Sequence, residues 1–371
     1  MRAAVLHEPG APLAVEELTL EPPRAGEVRV RIEAAGVCHS DLHYMTGDLR
    51  CPLPVVVGHE GAGVVEAVGA GVERVAPGDR VALLWRPRCG RCEFCVAGQP
   101  VLCELGKVQA TTGGLPDDGT TRLRLDGREV HHLMGVSCFA EQVVVSEKSV
   151  VHVPDGVPSR VAAVTGCAVI TGVGAVLNVI VECAGRAVLV VGAGGVGLSA
   201  VMGARLAGAE PVIVVDLDPD KLALARRLGA SVVVEAGRED VVEAVLAAVP
   251  GGVPWAIEAV GRAETLQQAV ACLRPGGTVV AVGLGRVGAT VELPINDLVQ
   301  RQKRVVGSLY GSANPLVDLP RLFQLYLAGR LPLDALLGPE YPLEAINEAY
   351  AALTGGAVGR GPRRALSLIH I

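Results

Sequence analysis

Aromatic residues are scarce in this sequence, at 3% of the 371 residues. Proteins bind single-stranded nucleic acids largely by stacking the bases on aromatic rings, so the chain has little material for such a surface. It also has no run of basic residues, and its net charge of −6 argues against a face that binds a nucleic acid duplex. We therefore expect no nucleic acid partner.

We also expect no secretory signal peptide, because only a short apolar stretch separates Met1 from the polar segment that begins at His7. Ten cysteines are present, and four of them crowd between Cys89 and Cys103. That crowding is typical of metal binding rather than of a disulfide framework. We therefore expect a reducing compartment, the cytoplasm.

One segment, residues 161–181, carries no charge and is long enough to span a bilayer. However, it contains three glycines and two threonines, and a glycine-rich loop follows it closely. A strand and a helix buried inside a soluble α/β domain explain these features better than a membrane span. We expect no membrane association.

The chain changes character along its length. Residues 28–32 alternate apolar and charged side chains, as a half-buried strand does, and the region up to residue 160 is β-rich. Residues 86–135 are rich in cysteine, glycine and charge, which indicates a lobe held together by something other than a hydrophobic core. From residue 187 onward, apolar strands alternate with helices in the order typical of a doubly wound parallel sheet.

These patterns predict an α/β protein of two domains. After about residue 309 the pattern becomes irregular again, and we expect the tail to rejoin the first domain. The predicted domains are a β-rich domain of residues 1–168 and 309–371, which includes the lobe at 86–135, and a doubly wound (Rossmann) domain of residues 169–308.

A glycine-rich turn follows the first strand of the second domain and opens a helix. Its residues are Gly192, Gly194, Gly195, Val196 and Gly197. The first glycine suits a tight turn, the second lets the backbone approach a pyrophosphate, and the third allows close packing of helix on strand. A glycine-rich turn without a ligand is the alternative.

The position of Asp216 favours a bound dinucleotide over a glycine-rich turn without a ligand. It lies about twenty positions after the turn, at the end of the second predicted strand, where it would bind the ribose hydroxyls. Its negative charge would repel a 2′-phosphate, so we predict NAD rather than NADP.

The four crowded cysteines are Cys89, Cys92, Cys95 and Cys103. Four thiolates can close a tetrahedron around Zn²⁺ with no open position, as structural zinc sites do, and such a site would stabilise the poorly hydrophobic lobe. The spacing also permits an iron–sulfur cluster, or free cysteines without a metal, but nothing else indicates electron transfer. We predict structural zinc.

A second set is spread through the chain: Cys38, His59 with Glu60, and Cys167. Each alone has an ordinary interpretation as a buried thiol or a hydrogen-bonded histidine. Together they supply the Cys₂His ligands of a catalytic zinc whose fourth position is left to water or substrate. Spacing alone does not prove that they converge.

At this point the sequence resembles a known family. Two motifs, residues 36–41 with Cys38 and residues 58–65 with His59, resemble the signature of zinc-dependent medium-chain alcohol dehydrogenases. The cysteine lobe, Cys167 and the glycine-rich turn follow in the family's order. Residues 116–120, 132–135 and 139–141 resemble more closely the class III (glutathione-dependent formaldehyde) branch and the related nitroso-dimethylaniline-dependent bacterial alcohol dehydrogenases. The resemblance covers essentially the whole chain and implies a GroES-like catalytic domain in front of the Rossmann domain.

The resemblance also implies roles for residues around the catalytic centre. Cys38, His59 and Cys167 would bind the catalytic zinc, Glu60 would be a close or alternate ligand, and Asp41 would orient His59. Ser40 would accept the proton of the substrate hydroxyl, and His43 would pass it to bulk water. The substrate pocket would be lined by Trp85 and Leu49.

On the cofactor side, the resemblance places Thr171, Val282 and Tyr310 beside the nicotinamide. Lys221 would lie beside the adenosine ribose, His39 near the pyrophosphate, and Arg364 is the candidate for the family's late phosphate-binding arginine. Many relatives have arginine where this chain has His39, so we expect a more loosely held pyrophosphate. The last residues, 366–371, do not resemble the family's usual ending.

These residues predict an NAD-dependent enzyme with two zinc ions per chain that converts primary aliphatic or aromatic alcohols to aldehydes. The first alternative is a class III activity on S-(hydroxymethyl) thiol adducts, since Lys107 occupies the place of a basic residue that holds the thiol's carboxylate in that branch. A non-catalytic NAD-binding relative and an iron–sulfur electron carrier are further alternatives. We expect a homodimer, with a homotetramer as the alternative.

Overall fold

The computed structural model of the chain describes residues 1–355 and 366–370, with backbone alone for residues 108–111 and 366–370. Among these residues, the strands form two mixed sheets, built mainly from the first part of the chain, and one parallel sheet. The elements of the first part are β1 (Arg2–Leu6), β2 (Ala14–Glu17), β3 (Thr19–Leu20), β4 (Glu27–Val37), α1 (His39–Thr46), β5 (Val55–Val56), β6 (Glu60–Val68), β7 (Arg80–Leu83), α2 (Glu93–Val96), α3 (Leu105–Thr112), β8 (Leu123–Leu125), β9 (Arg128–His132), β10 (Gln142–Ser146), β11 (Val150–His152) and α4 (Ser159–Val164).

The second part begins with a short helix and the parallel sheet, and it ends with elements that lie outside that sheet. Its elements are α5 (Ile170–Gly174), β12 (Val188–Val191), α6 (Gly195–Leu206), β13 (Val212–Asp216), α7 (Pro219–Leu228), β14 (Val232–Glu235), α8 (Val241–Ala248), β15 (Val253–Glu258), α9 (Ala263–Ala271), β16 (Leu273–Ala281), α10 (Ile295–Gln300), β17 (Arg304–Gly307), α11 (Pro315–Leu327), β18 (Leu337–Pro342), α12 (Ile346–Thr354) and β19 (Leu366–His370).

Strand β4 organises the β-rich part. It pairs with β6 along most of its length and with β10 and β19 on its other edge. Its alternating sequence buries Val28, Val30 and Ile32 in the core, as the sequence pattern predicts. In the register with β6, Gly36 near the end of β4 lies opposite Glu60 at the start of β6. This pairing brings the motif that follows β4 next to the motif that opens β6.

The parallel sheet has the strand order β14-β13-β12-β15-β16-β17. All four residues of β12 are buried, as expected for a central strand covered by helices on both faces. The order reverses between β12 and β15, and ligands of doubly wound sheets bind at the carboxyl ends of the strands beside such a reversal. The predicted doubly wound domain is thereby confirmed, and the glycine-rich turn after β12 lies at that point.

Residues 159–180 form one helix in which two wide π-helical turns, Thr165–Val169 and Ala175–Ile180, alternate with α4 and α5. The prediction of a strand followed by a helix in this apolar run was wrong. An uninterrupted apolar run has no periodicity that separates a buried strand from a buried helix. By length and composition this helix could cross a membrane, but 83% of its most apolar window is buried inside the protein. It is therefore explained as a core helix.

The core helix packs very closely on α6. A Cβ at Gly172 would lie 2.1 Å from the backbone oxygen of Val196, so only glycine fits at this crossing. The predicted boundary between residues 168 and 169 falls inside the helix, and the domain limits stay a prediction. At the end of the chain, β19 pairs with both β18 and β4, which adds the tail to a sheet of the β-rich part.

Candidate active site

Four potential metal ligands from three separate parts of the chain converge. The ligand atoms of Cys38, His59, Glu60 and Cys167 all lie within 4.8 Å of one another. Cys38 is the residue before α1, Glu60 opens β6, and Cys167 lies in the first wide turn of the core helix. Wide turns of this kind are frequent at functional sites. The structure therefore brings together the scattered set that spacing alone left open.

The polar atoms of this cluster fit a bound cation. His59 Nε2 and both carboxylate oxygens of Glu60 are buried and have no hydrogen-bond partner among the described residues. Burial raises the pKa of the Glu60 carboxyl well above its usual value, and the neighbouring Cys38 raises it further. A divalent cation among these groups would offset both effects. Two thiols and an imidazole are a ligand set that suits zinc.

The opposite ring nitrogen of His59 is also accounted for. Nδ1 lies 2.8 Å from Oδ1 of Asp41, and both side chains are almost fully buried. An imidazole that donates Nδ1–H to a carboxylate presents Nε2 as a lone-pair donor. The arrangement aims Nε2 of His59 at the cluster.

Gly36 makes room for the Glu60 carboxylate. A Cβ at Gly36 would lie 2.0 Å from Oε2 of Glu60, which is impossible without moving one of them. The glycine in the motif before Cys38 thus has a steric reason: it allows a charged side chain to lie against the β4 backbone.

The second cluster lies in the lobe, where Cys89, Cys92, Cys95 and Cys103 converge. Backbone N–H groups point at the sulfurs: Cys92 N lies 3.3 Å from Sγ of Cys89, and Cys89 N lies 3.2 Å from Sγ of Cys103. Donors from the backbone of Arg91 and Cys92 lower the pKa of Cys89 to about 6. Four sulfurs around one centre fit a closed tetrahedral zinc site.

We predict two zinc ions per chain with different functions. Cys92→Ser should release the lobe zinc and lower the unfolding temperature, because a zinc ion bound by four cysteines contributes its binding free energy to folding. Cys38→Ser should abolish activity and leave the fold largely intact. Metal analysis, thermal unfolding and an activity assay on each variant are the measurements.

Cys51→Ser is the matched control, since Cys51 belongs to neither cluster, and it should keep both metals. Fully active, freshly purified protein with at most one zinc per chain would contradict the two-site interpretation.

The glycine-rich turn adopts the geometry that dinucleotide binding needs. Gly192 has a φ of 97°, a conformation that favours glycine. A Cβ at Gly197 would lie 1.7 Å from the backbone oxygen of Gly192, whereas a Cβ at Gly194 would meet nothing within 4 Å. Gly195 and Val196 open α6, so the N-terminus of this helix begins directly after that open position.

These two glycines should respond differently to alanine. Gly197→Ala should cost at least about 2 kcal/mol of stability, because the added methyl overlaps backbone. Gly194→Ala should change stability by less than about 0.5 kcal/mol, since its φ of −75° suits alanine, yet it should weaken NAD binding about tenfold or more. Urea unfolding and calorimetric titration with NAD measure the two effects. Equal loss of stability in both variants would contradict the assignment of a packing role to Gly197 and a cofactor-binding role to Gly194.

Asp216 ends β13 beside the glycine-rich turn. Its Oδ2 accepts a hydrogen bond of 2.6 Å from Ala193 N, and its Oδ1 accepts one from Asp218 N. The carboxylate is thereby held at the carboxyl edge of the parallel sheet, and each oxygen keeps a free lone pair for a ribose hydroxyl.

The other predicted cofactor residues come from both halves of the chain. Withdrawal from water and the positive charge of Lys221 lower the pKa of His39, which places these two side chains near each other from opposite halves of the protein. Thr171 lies in the core helix, Val282 directly follows β16, and the Tyr310 hydroxyl donates a hydrogen bond to the Gly166 carbonyl. Arg364 lies outside the described residues.

The predicted substrate side contains Trp85. Its ring lies edge-on to His59, with centroids 6.1 Å apart, and to Tyr310 at 4.8 Å. Trp85 therefore bridges the metal cluster and the predicted nicotinamide side. Leu49 is half-buried after α1, and its N–H bonds to the His43 carbonyl.

The proton-transfer candidates lie on α1. Ser40 is half-buried in its first turn, with its N–H directed at Cys38 Sγ. His43 Nδ1 lies 3.3 Å from Oδ2 of Asp48. Lys107 is exposed near the start of α3.

Arg86 is a further residue at this site that no sequence motif singled out. Its guanidinium carbon lies 5.3 Å from the centre of the Trp85 ring, and its buried Nε has no hydrogen-bond partner among the described residues. Its place directly after Trp85 was the only local signal. The guanidinium places a positive charge next to the ring of Trp85.

His132 is not a metal-ligand candidate but part of the core. It is only 1% exposed, and its Nε2 accepts a hydrogen bond from Arg122 N. Burial, together with the nearby Arg122, lowers the pKa of His132 to about 3. It is a neutral core histidine on β9.

Comparisons with known proteins agree with this geometry. The family model for the alcohol dehydrogenase GroES-like domain matches residues 24–155, and the model for zinc-binding dehydrogenases matches residues 195–326. The chain is 40% identical over 363 residues to the NDMA-dependent alcohol dehydrogenase of Amycolatopsis methanolica, with 97% of each chain covered. It is 38% identical to the S-(hydroxymethyl)glutathione dehydrogenase of Komagataella pastoris, with 96% of this chain and 95% of that protein covered.

A solved structure is also very similar. The benzyl alcohol dehydrogenase of Acinetobacter calcoaceticus superimposes with a TM-score of 0.92 at 33% identity, covering 100% of this chain and 99% of that one. The similarity therefore extends over both halves of the chain and not only over one domain.

Proposed function

The chain belongs to the zinc-dependent medium-chain alcohol dehydrogenase family and is an NAD-dependent zinc enzyme, and we propose that it oxidises primary aliphatic or aromatic alcohols to aldehydes. The observation that carries the proposal is the convergence of Cys38, His59 and Cys167 next to the aromatic pair Trp85 and Tyr310. A metal site with an open position beside an apolar wall is suited to an alcohol that carries an apolar tail.

In this proposal Cys38, His59 and Cys167 bind the catalytic zinc, with Glu60 as a close or alternate ligand. Bound zinc supplies a Lewis acid that lowers the pKa of an alcohol hydroxyl. Asp41 holds the ring of His59 in orientation through the hydrogen bond to Nδ1. Gly36 keeps the space in which the Glu60 carboxylate lies.

The proton of the alcohol leaves along α1. Ser40 lies in the first turn of this helix and accepts the proton, and His43 lies one turn later and passes it to bulk water. Asp48 is placed to hold the ring of His43, because its carboxylate lies 3.3 Å from Nδ1. A histidine suits this step because its ordinary pKa lies near neutrality.

The cofactor-binding residues orient NAD for hydride transfer. The glycine-rich turn from Gly192 to Gly197 binds the pyrophosphate, and Asp216 binds the adenosine ribose and disfavours NADP. His39 and Lys221 close the cleft from its two sides, while Thr171, Val282 and Tyr310 contact the nicotinamide. A non-catalytic NAD-binding protein is not favoured, because such a protein needs no open metal site.

We predict that the enzyme is more efficient with benzyl alcohol or octanol than with formaldehyde plus glutathione. Each methylene buried in an apolar pocket contributes about 0.8 kcal/mol, and Trp85 provides such a wall. The thiol-adduct branch needs acidic residues that have no clear match around Leu49. The measurement is kcat/KM for each substrate with the unmodified enzyme and with Lys107→Ala.

Arg91→Ala is the matched control, because it removes another positive charge from the same lobe. If kcat/KM falls strongly for the thiol adduct alone in Lys107→Ala, and not in Arg91→Ala, the substrate proposal is wrong and the formaldehyde-oxidising activity replaces it.

We further propose a homodimer in the cytoplasm. Strand β17 is the edge of the parallel sheet, and apolar side chains are exposed on and before it: Val287, Ile295, Val299 and Val305. An open edge next to exposed apolar residues favours pairing with a second copy. All ten cysteines are described and none forms a disulfide, which is consistent with a reducing compartment.

Light scattering behind a sizing column should give twice the mass of the chain. Val299→Asp should reduce the dimer population, because it places a charge on the exposed apolar surface, whereas the exposed Val96 of the lobe is the control position for the same substitution. A monomeric wild-type protein would contradict the proposal, and a fourfold mass would establish the tetramer.

A further inference from the structure

Near the catalytic cluster, one buried hydrogen-bond acceptor and one buried donor have no hydrogen-bond partner among the described residues. Asp41 is 0% exposed, and while its Oδ1 bonds to His59, its Oδ2 has no hydrogen-bond partner among the described residues. The hydroxyl of Tyr350, in α12, is also buried without a partner. An unpaired buried polar group costs about 1–3 kcal/mol, so two such groups side by side require an explanation.

The two groups lie in the same part of the core although about 300 residues separate them: Met45, on the same helix as Asp41, and Tyr350 belong to one buried apolar cluster. Burial raises the pKa of the Tyr350 hydroxyl well above its ordinary value, and the nearby Asp41 carboxylate raises it further. The tyrosine therefore remains protonated and can donate, and the carboxylate is the acceptor that it faces.

The surroundings hold Tyr350 in this place. Its ring packs edge-on against Phe139, with centroids 6.2 Å apart, and only 4% of the residue is exposed. Helix α12 is fixed from its first turn, because the side-chain amide of Asn347 both donates to and accepts from the backbone of Leu13. The hydroxyl therefore cannot turn away to solvent.

We propose that Tyr350 is a positioning residue for the metal site: its hydroxyl donates to Oδ2 of Asp41 and so fixes the carboxylate that orients His59. When His59 binds a cation through Nε2, its Nδ1 must donate to Asp41, and Asp41 must then be a buried anion with one oxygen still unpaired. A second donor to that oxygen stabilises the anion and fixes its plane. The inference rests on the zinc-binding role proposed for His59.

The test compares Tyr350→Phe with the unmodified enzyme. The substitution removes only the hydroxyl and keeps the ring on Phe139. We expect the catalytic zinc to be lost to a chelator about tenfold faster and kcat/KM to fall by a similar factor, as is typical when an outer partner of a metal ligand is removed. Release of the lobe zinc from its four cysteines should be unchanged, and it serves as an internal reference.

Two further variants separate positioning from packing. Tyr326→Phe removes a hydroxyl that bonds to Asp334 at 2.7 Å near the surface, so it controls for the chemical change and should leave both zinc release rates unchanged. Phe139→Leu loosens the packing around Tyr350 but keeps its hydroxyl. It should lower the unfolding temperature with a smaller effect on catalytic zinc release than Tyr350→Phe has.

In an Asp41→Asn background, Tyr350→Phe should add little, because both changes act on the same hydrogen bond. Unchanged release of the catalytic zinc in Tyr350→Phe, or equal effects of Tyr350→Phe and Phe139→Leu on release and unfolding temperature, would overturn the proposal. In either case the unmodified enzyme would still hold two zinc ions and oxidise primary alcohols. Failure of the proposed function would be visible in the unmodified enzyme itself.

Discussion

Two thiols, an imidazole and a carboxylate share one buried space in this protein, and the surrounding structure is arranged to make that possible. Burying anionic groups is costly unless they are paired or bind a cation. Glu60 lies against the β4 backbone because Gly36 has no side chain, and Asp41 is buried where it can bond to His59. A site of this composition is stable with a divalent cation and unfavourable without one, which is why its geometry indicates function more strongly than any single residue does.

The two metal clusters differ in what holds them. Cys38, His59 and Cys167 lie on or beside elements that pack in apolar clusters of their own, so we expect the fold not to depend on a metal at this site. The sulfurs of the lobe cysteines accept hydrogen bonds from backbone N–H groups and lie close to one another. They belong to a segment with few buried apolar residues. The first metal can therefore serve chemistry, whereas the second serves structure.

The sequence predicted best what lies close together in the chain. The glycine-rich turn with Asp216 and the four lobe cysteines are short motifs with their own geometric requirements, so spacing alone predicted them. The convergence of Cys38 with Cys167 depended on a resemblance, because no local pattern links residues so far apart. For the same reason the place of Tyr350 near Asp41 could not be predicted from the sequence. Arg86 follows Trp85 directly, but adjacency in sequence does not predict that a guanidinium lies over the neighbouring ring.

The core helix explains how the metal site and the cofactor site keep a fixed relation. Cys167 and Thr171 are four residues apart on this one helix, so the candidate metal ligand and the candidate nicotinamide contact are separated by roughly 6 Å along its axis. Tyr310 ties the far side of the cleft to the same helix through the Gly166 carbonyl, and Asn178 bonds to the Gly311 carbonyl at 3.1 Å. Hydride transfer requires the donor and acceptor carbons to be held in near contact. Holding two reactants in the right orientation can account for a large part of the rate enhancement of an enzyme. The apolar run that resembles a membrane span is thus better understood as a buried core helix that would hold the proposed metal and cofactor sites at a fixed distance.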